Sequence, residues 1–314
     1  MAGIDPQQGQ RRAVARVDRV IDRLGLHDLA SRPATTVSGD GGPLMEVLLL
    51  GTGAADGWPN PFCRCASCSD AARRGDLRGQ TAALVDGVLL LDCGPEAPGA
   101  AVRHGRTLTA VDHLVVTHSH TDHLGPQALL SRSWAEGPGP LEMVGPDAAL
   151  EVCRPWVGPG EPVRFMPVAA GDRVSVGAPD VRVLPARHRV FDDGDAVLYD
   201  VTGPDGARIL WATDTGPWPD AWFAAVAGAR YGAVFLEETL GDREEISEVH
   251  LGLERFGRMV ERMRGVGAVT TRTDVVAVHL GHHNPPGPEL AARLAAYGAR
   301  PGRDGEVVVV GPVS

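Results

Sequence analysis

No run of 18 or more consecutive apolar residues occurs in the 314-residue chain, and its N-terminus lacks the apolar core of a secretory signal. Both absences argue against membrane insertion or export and predict a soluble, cytoplasmic protein. An excess of positive charge is missing too. The formal charge of -10 and the pI near 5.5 speak against a surface built to neutralise nucleic-acid phosphates, and favour a small-molecule partner. No period of 20 to 50 residues repeats, which excludes a solenoid. Cysteine is scarce, with five residues, yet three of them are gathered in Cys63-Arg64-Cys65-Ala66-Ser67-Cys68. In a reducing compartment such a cluster more often binds metal than forms disulfides.

The composition that remains is 43% hydrophobic, enough for one large or two fused domains, and the 40 glycines and 25 prolines predict short elements with many turns. Val14, Val17, Ile21 and Leu24 recur at helical spacing within residues 12–26, followed by the polar, Gly-rich residues 38–43. Residues 1–44 are therefore expected to form a helical extension and linker, and residues 45–314 the main domain. Three roles stay open for the extension: covering an active site, joining two subunits of a homodimer, or packing on the back of the core. Met45, directly before the first strand, is an alternative start. From Glu46 on, strands and helices alternate. Strands are predicted at 46–50, 81–85 and 88–91 around an Asp86-Gly87 hairpin turn, then at 181–184, 196–201, 209–212, 233–236, 275–278 and 307–310. Helices are predicted at 124–134, 147–154, 219–226, 251–263 and 288–297.

The chemistry is concentrated where strands stop. The apolar residues 112–117 run into His118-Ser119-His120-Thr121-Asp122-His123, whose imidazoles and carboxylate suit Zn²⁺, or alternatively Mn²⁺ or Fe. Downstream, His188, Asp214 and His279 each follow an apolar strand. Taken singly, each is as well explained as a cap or turn residue.

Together, in this order, these residues resemble the ligand series of the metallo-β-lactamase superfamily, over nearly the whole chain from residue 46. The resemblance implies an α/β (α+β) αββα four-layer sandwich with the site at one edge between two sheets. It also implies that His118, His120 and His188 hold one metal, that Asp122, His123 and His279 hold a second, and that Asp214 bridges them. The segment Glu46–Gly53 followed by Cys63, Cys65 and Cys68 is similar to the PhnP-type phosphodiesterases and also to PqqB. In the PhnP-like branch the cysteines form a structural zinc site with a histidine three residues beyond the last catalytic ligand, which here is His282. Glu237-Glu238-Thr239 and the segment around His250 resemble paired segments of PhnP and tRNase Z, implying that Glu237 orients His250 as general acid. Leu236 and Glu238 depart from the tRNase Z pattern, and no basic Gly-rich arm is evident, so tRNA processing is not expected.

The resulting expectation is a binuclear hydrolase with two catalytic divalent metals, Zn²⁺ or Mn²⁺ with Fe as a further candidate, and one structural Zn²⁺. Its expected substrate is a small phosphodiester, cyclic or linear, with Asp122 helping to orient the nucleophile. The rivals are a PqqB-like metal-dependent oxidoreductase of a biosynthetic pathway and a lactone or thioester hydrolase of the same superfamily. His283, Arg187, Arg189 and Asp56 lie close enough in sequence to touch substrate or metals, with solvated or turn roles equally open.

Overall fold

The computed structural model describes residues 44–192 and 194–312. The helix expected over residues 12–26 lies outside them. Among the described residues, fourteen strands form two seven-stranded sheets. In the first, β1 (Met45–Gly51), β2 (Ala82–Val85), β3 (Leu89–Leu91), β4 (His113–Val115), β5 (Leu141–Gly145) and β6 (Val163–Pro167) lie in chain order, and β14 (Val307–Val310) returns to pair with β1. In the second, β7 (Arg173–Ser175), β8 (Asp180–Pro185), β9 (Val197–Thr202), β10 (Arg208–Ala212), β11 (Ala233–Glu237), β12 (Asp274–Val278) and β13 (Ala299–Pro301) also follow chain order. The helices are α1 (Ala66–Arg74), α2 (Ala97–Arg103), α3 (Gln127–Ser133), α4 (Asp147–Cys153), α5 (Phe223–Val226), α6 (Leu253–Gly265) and α7 (Gly287–Ala296).

Alternation along the strands builds the layers. Val47 and Leu49 of β1 face inward, where they join Leu91, Val115, Tyr199, Trp211, Phe235 and Val276 in a core shared by both sheets. Leu48 and Leu50 face outward and pack with residues of α2, α3 and α4. The outer side of the second sheet buries Leu210, Val234 and Ala277 against Phe256, Val260, Leu290 and Leu294 of α6 and α7. Strands buried on both faces read as unbroken apolar runs, as in Val47–Leu50 and Val275–Val278. The architecture is the expected αββα sandwich.

Strand direction places the site. β3 to β6 are mutually parallel, as are β10 to β13, and β8 runs with β10 because each is antiparallel to β9. The carboxyl ends of β3, β4, β8, β10, β11 and β12 therefore open on one edge, where ligand-bearing loops of open α/β sheets gather. The Asp86-Gly87 turn takes the two positive φ values, 50° and 74°, that its sequence predicts. Helix α3 begins only at Gln127, since Leu124 is tied to Cys93 by an isolated bridge and Gly125 donates to the Cys93 carbonyl. Strands β5, β6, β7 and β13 and helices α1 and α2 were not anticipated from the sequence.

Candidate metal centre

The loop after β4 is held on three sides. His123 and Leu124 both donate backbone N–H groups to the His120 carbonyl, Cys93 donates to the His123 carbonyl, and Tyr199 reaches across the core to the Val116 carbonyl at 2.6 Å. Gly94 lies so close that a Cβ there would sit 1.9 Å from the Asp122 carbonyl oxygen, so only glycine fits. This turn directs His118, His120, Asp122 and His123 into the seam between the sheets. From the opposite sheet come His188, Asp214 and His279. Asp214 and His279 adopt left-handed φ of 54°, an uncommon conformation for residues with side chains and one that recurs at functional sites.

Two groups of donor atoms result. His120 Nδ1 stands 3.0 Å from His118 Nε2 and 3.1 Å from His188 Nε2, with Asp214 Oδ1 3.8 Å from His188 Nε2. In the second group, His123 Nε2 is 3.1 Å from Asp122 Oδ2 and 2.8 Å from Asp214 Oδ2. His279 Nε2 lies 3.3 Å and 3.4 Å from the same two oxygens. Donor atoms around a tetrahedral ion with bonds of about 2.0–2.2 Å are separated by roughly 3.3–3.6 Å. The observed separations, 2.8 to 3.8 Å, bracket that range, and Asp214 offers one oxygen to each group.

The charges and lone pairs also fit cations. His123 Nε2 is buried without a hydrogen-bond partner, although oxygens of Asp214 and Asp122 stand 2.8 and 3.1 Å away. Burial opposes protonation of His123, yet Asp214, Asp122 and Asp92 outweigh it and raise its pKa well above the usual imidazole value. His118 goes the other way, lowered well below that value by burial and by the neighbouring His123. Burial works against ionising Asp214, but His279 and His123 overcome it and hold the carboxyl well below its usual range. Buried carboxylates and facing imidazole lone pairs of this kind are stable when positive charge lies between them.

Three partners of these groups were not foreseen. Asp92, fully buried at the end of β3 with φ of 58°, lies 3.1 Å from His123 Nδ1 and accepts from Trp211 Nε1, Thr117 N and Thr117 Oγ1. Thr117 Oγ1 is 3.0 Å from His118 Nδ1, and Thr239 Oγ1 is 2.9 Å from His279 Nδ1. Such contacts on the far ring nitrogen orient metal-binding imidazoles. His188 Nδ1, by contrast, is buried with no hydrogen-bond partner. The signal for Asp92 was available, since it follows the apolar Leu89–Leu91 just as Asp214 follows β10.

Beside this centre, Glu237 is fully buried and its oxygens lie 3.2 and 3.0 Å from His250 Nδ1. Thr215 N also donates to Glu237 at 2.5 Å and Thr239 Oγ1 at 2.5 Å. His250 lies three residues before the start of α6 and its side chain is 20% exposed, against 0% for Glu237, so the imidazole has an edge open to solvent. Burial opposes its protonation, but Glu237, with Asp214 and Asp122 adding, raises the pKa to about 9. His250 Nδ1 is also 3.8 Å from Asp214 Oδ1, placing it against the donor cluster.

Cys63, Cys65, Cys68 and His282 converge so that one donor atom from each lies within 4.8 Å of the others. Cys65 caps α1, its sulfur accepting from Cys68 N at 3.3 Å and standing 4.0 Å from His282 Nδ1. Burial, with the neighbouring sulfurs, pushes the Cys68 thiol up to about 12, a penalty on ionisation that a thiophilic cation removes. His282 Nε2 faces Asp56 Oδ2 at 3.6 Å, while the His283 ring packs against that of His282, tilted by 37°. Arg187 and Arg189 are exposed and line a cavity of about 430 Å³ with His188, Trp222 and Val249, and Arg187 Nη1 donates to the Pro217 carbonyl.

Residues 88–279, more than half the chain, match the family model described as the beta-lactamase superfamily domain. The chain belongs to the beta-lactamase superfamily. It is a metal-dependent hydrolase of the metallo-β-lactamase fold. The structure of a diphosphatase of the PhnP family is similar with a TM-score of 0.67 at 22% identity, over 85% of this chain and 97% of that one. Zn²⁺-bound PqqB from Methylobacterium extorquens gives a TM-score of 0.67 at 20% identity, over 84% and 99%. Ribonuclease Z of Mycobacterium avium is 28% identical over 76% of this chain and 89% of its own length. A local match to an octanoyltransferase of Porphyromonas gingivalis, 33% identical, covers 26% of this chain and only 17% of that protein. The superfamily domain model spans the loop after β4, Asp214 and His279, and leaves the cysteine cluster outside its limits. Among the described residues of this superfamily member, no helix is long and apolar enough to cross a membrane.

Proposed function

We propose that this superfamily member is a binuclear phosphodiesterase acting on a small phosphodiester. His118, His120, His188 and Asp214 hold one divalent cation and Asp122, His123, His279 and Asp214 the other, while Cys63, Cys65, Cys68 and His282 hold a structural zinc. When bound, the catalytic pair supplies Lewis acidity that polarises a phosphoryl group and acidifies water. The protein supplies position and a proton. Asp122 orients the nucleophile, and Glu237 fixes His250 through Nδ1 so that Nε2 carries the proton to the departing alkoxide. The observation that carries this reading is the buried Glu237 carboxylate within 3.0 and 3.2 Å of a partly exposed His250 at the edge of the metal cluster.

His250 also falls within reach of His188 and Asp214 as a candidate ligand. Its short contacts to Glu237 are made by the same nitrogen that faces Asp214, which favours the acid role. The names of the ribonuclease Z relative and the PhnP-family diphosphatase point to phosphorus–oxygen bonds. The net charge of -10 favours a small substrate over a long polyanion.

The test is a His250→Ala protein assayed with bis(p-nitrophenyl) phosphate and a 2′,3′-cyclic nucleotide after reconstitution with Zn²⁺ or Mn²⁺. The expected result is a loss of about 10²- to 10⁴-fold in kcat with unchanged metal content. Full activity overturns the acid role. Cleavage of a lactone, a thioester or precursor tRNA but of neither small phosphodiester, or oxygen-dependent turnover of an iron-loaded protein, overturns the substrate assignment.

A further inference from the structure

We infer that the Thr239 hydroxyl couples the His279 cation position to the Glu237–His250 pair, so that a cation at His279 sets the direction of the His279–Thr239 hydrogen bond and with it the strength of the bond from Thr239 to Glu237, which orients His250. This rests on the metal-centre reading above. Thr239 Oγ1 lies 2.9 Å from His279 Nδ1 and 2.5 Å from Glu237 Oε2, and Glu237 Oε2 lies 3.0 Å from His250 Nδ1. An unbroken path of three contacts therefore joins His279 to His250. Thr239 is 9% exposed, His279 3% and Glu237 0%, which leaves little room for water to take over any link.

A hydroxyl carries one proton. Three acceptors compete for it: Glu237 Oε2, the His279 carbonyl oxygen at 3.1 Å, and His279 Nδ1 whenever that nitrogen lacks a proton. A cation on His279 Nε2 leaves the ring proton on Nδ1. That proton is then donated to Thr239 Oγ1, whose own proton goes to Glu237 Oε2. The negatively charged oxygen is the better acceptor and, at 2.5 Å, the nearer one. Glu237 meets His250 Nδ1–H with its remaining lone pairs, which keeps the His250 proton-transfer nitrogen, Nε2, on the open edge.

Without the cation, His279 Nε2 faces Asp122 Oδ2 at 3.3 Å and Asp214 Oδ2 at 3.4 Å, two charged acceptors that draw the ring proton to Nε2. Nδ1 then has no proton to donate to Thr239 Oγ1 and becomes a second acceptor, competing with Glu237 for the single hydroxyl proton. The cation thus decides whether Glu237 has the hydroxyl proton without a competitor, and whether Thr239 Oγ1 receives a proton from His279. The coupling works in both directions, since whatever strengthens the Thr239–Glu237 bond also favours cation binding at His279. The backbone keeps Thr239 in register: its N–H donates to the Leu251 carbonyl at 2.9 Å, and a Cβ on Gly281 would sit 2.4 Å from the Thr239 carbonyl oxygen. Thr239 touches neither substrate nor cation and is a positioning residue.

The test reads metal binding without substrate. Mn²⁺ is titrated by electron paramagnetic resonance into wild-type, Thr239→Val, Thr239→Ser, Glu237→Gln and Glu237→Gln/Thr239→Val proteins. The expected result is about a tenfold or greater weakening of one of two Mn²⁺ ions in Thr239→Val, recovery to within about threefold in Thr239→Ser, and an effect of Glu237→Gln that shrinks in the Thr239→Val background. Wild-type Mn²⁺ binding by Thr239→Val, or an undiminished Glu237→Gln effect in the double variant, overturns the coupling. A second measurement needs no variant. Long-range ¹H–¹⁵N spectra of the wild-type protein should place the His279 proton on Nδ1 with Zn²⁺ bound and on Nε2 after its removal, and an unchanged tautomer overturns the switch. A protein with this coupling that cleaves no phosphodiester defeats only the phosphodiesterase reading; one that binds no pair of Mn²⁺ ions defeats both.

Discussion

Replacing Asp92 by Asn isolates the contribution of a carboxylate that bears on one cation position without belonging to it. Its Oδ1 accepts from Thr117 N at 2.8 Å and Thr117 Oγ1 at 2.9 Å, while Oδ2 accepts from Trp211 Nε1 at 3.0 Å and lies 3.1 Å from His123 Nδ1. An asparagine that keeps its oxygen on Thr117 turns an NH₂ group toward the other two donors. Each buried donor left unpaired costs about 1–3 kcal/mol, and removing the buried charge offsets part of that. We expect a net loss of about 2–4 kcal/mol, read in calorimetry as a Tm lower by roughly 5–15 °C. His123 also loses the acceptor that keeps its proton on Nδ1, so affinity at its cation position should fall about 10- to 100-fold. Chelator competition measures the affinity independently of activity. A folded Asp92→Asn protein with cation affinity within twofold of wild type would refute the orienting role.

Cys65→Ser should lower bound zinc by about one ion per chain and reduce Tm by several degrees, with less effect on kcat than His250→Ala, because the cluster clips the loop after β1 to the residues following His279; unchanged zinc by mass spectrometry rules out a metal there. Glu238 offers a pH test. Burial, opposed by Asn284 and the Gly241 N–H, raises its pKa from 4.5 to about 8, so the folded state holds this proton more tightly than the unfolded chain. Its contribution to stability is therefore full below about 4.5, falls as pH climbs and is gone above about 8. Glu238→Gln should flatten that fall by about 2–4 kcal/mol between pH 4.5 and 8.5 in urea denaturation, and an unaltered slope contradicts the assignment. Exhaustive chelation should lower Tm and abolish hydrolysis, with Zn²⁺ or Mn²⁺ restoring both; activity retained without metal refutes the metal-centre reading.

The clustered residues were legible because their chemistry is unusual where it occurs. Imidazoles and carboxylates at the ends of apolar strands have few uses in a core, and three closely spaced cysteines fewer still. The structure brings His118, His120, Asp122, His123, His188, Asp214 and His279 to one seam and sets Cys63, Cys65 and Cys68 against His282. Thr239 was invisible as a partner because a threonine after a strand resembles any polar terminus, and only the position of β12 beside β11 shows what it touches. Strands β6 and β7 escaped for a different reason: Val163–Pro167 and Arg173–Ser175 are only partly buried, so neither shows a continuous apolar run. Burial of aromatics was uneven in the same way. Trp58 and Trp218 lie in the core, whereas Phe62 is 96% and Trp134 75% exposed.

The donor atoms are divided between the two sheets, and this would give the proposed cation pair a mechanical part as well as a chemical one. The turn after β4 belongs to the first sheet, while the residues beyond β8, β10 and β12 belong to the second, and β14 returns to the first sheet beside β1. Neither half holds a complete set, so high-affinity uptake must wait until long-range pairing is finished. Loading then reports completed assembly and, by mass action, penalises separation of the sheets: each tenfold excess of free ion over its Kd adds about 1.4 kcal/mol against reopening. Supply of the ion would accordingly govern how long a newly made chain remains vulnerable to proteolysis, quite apart from turnover.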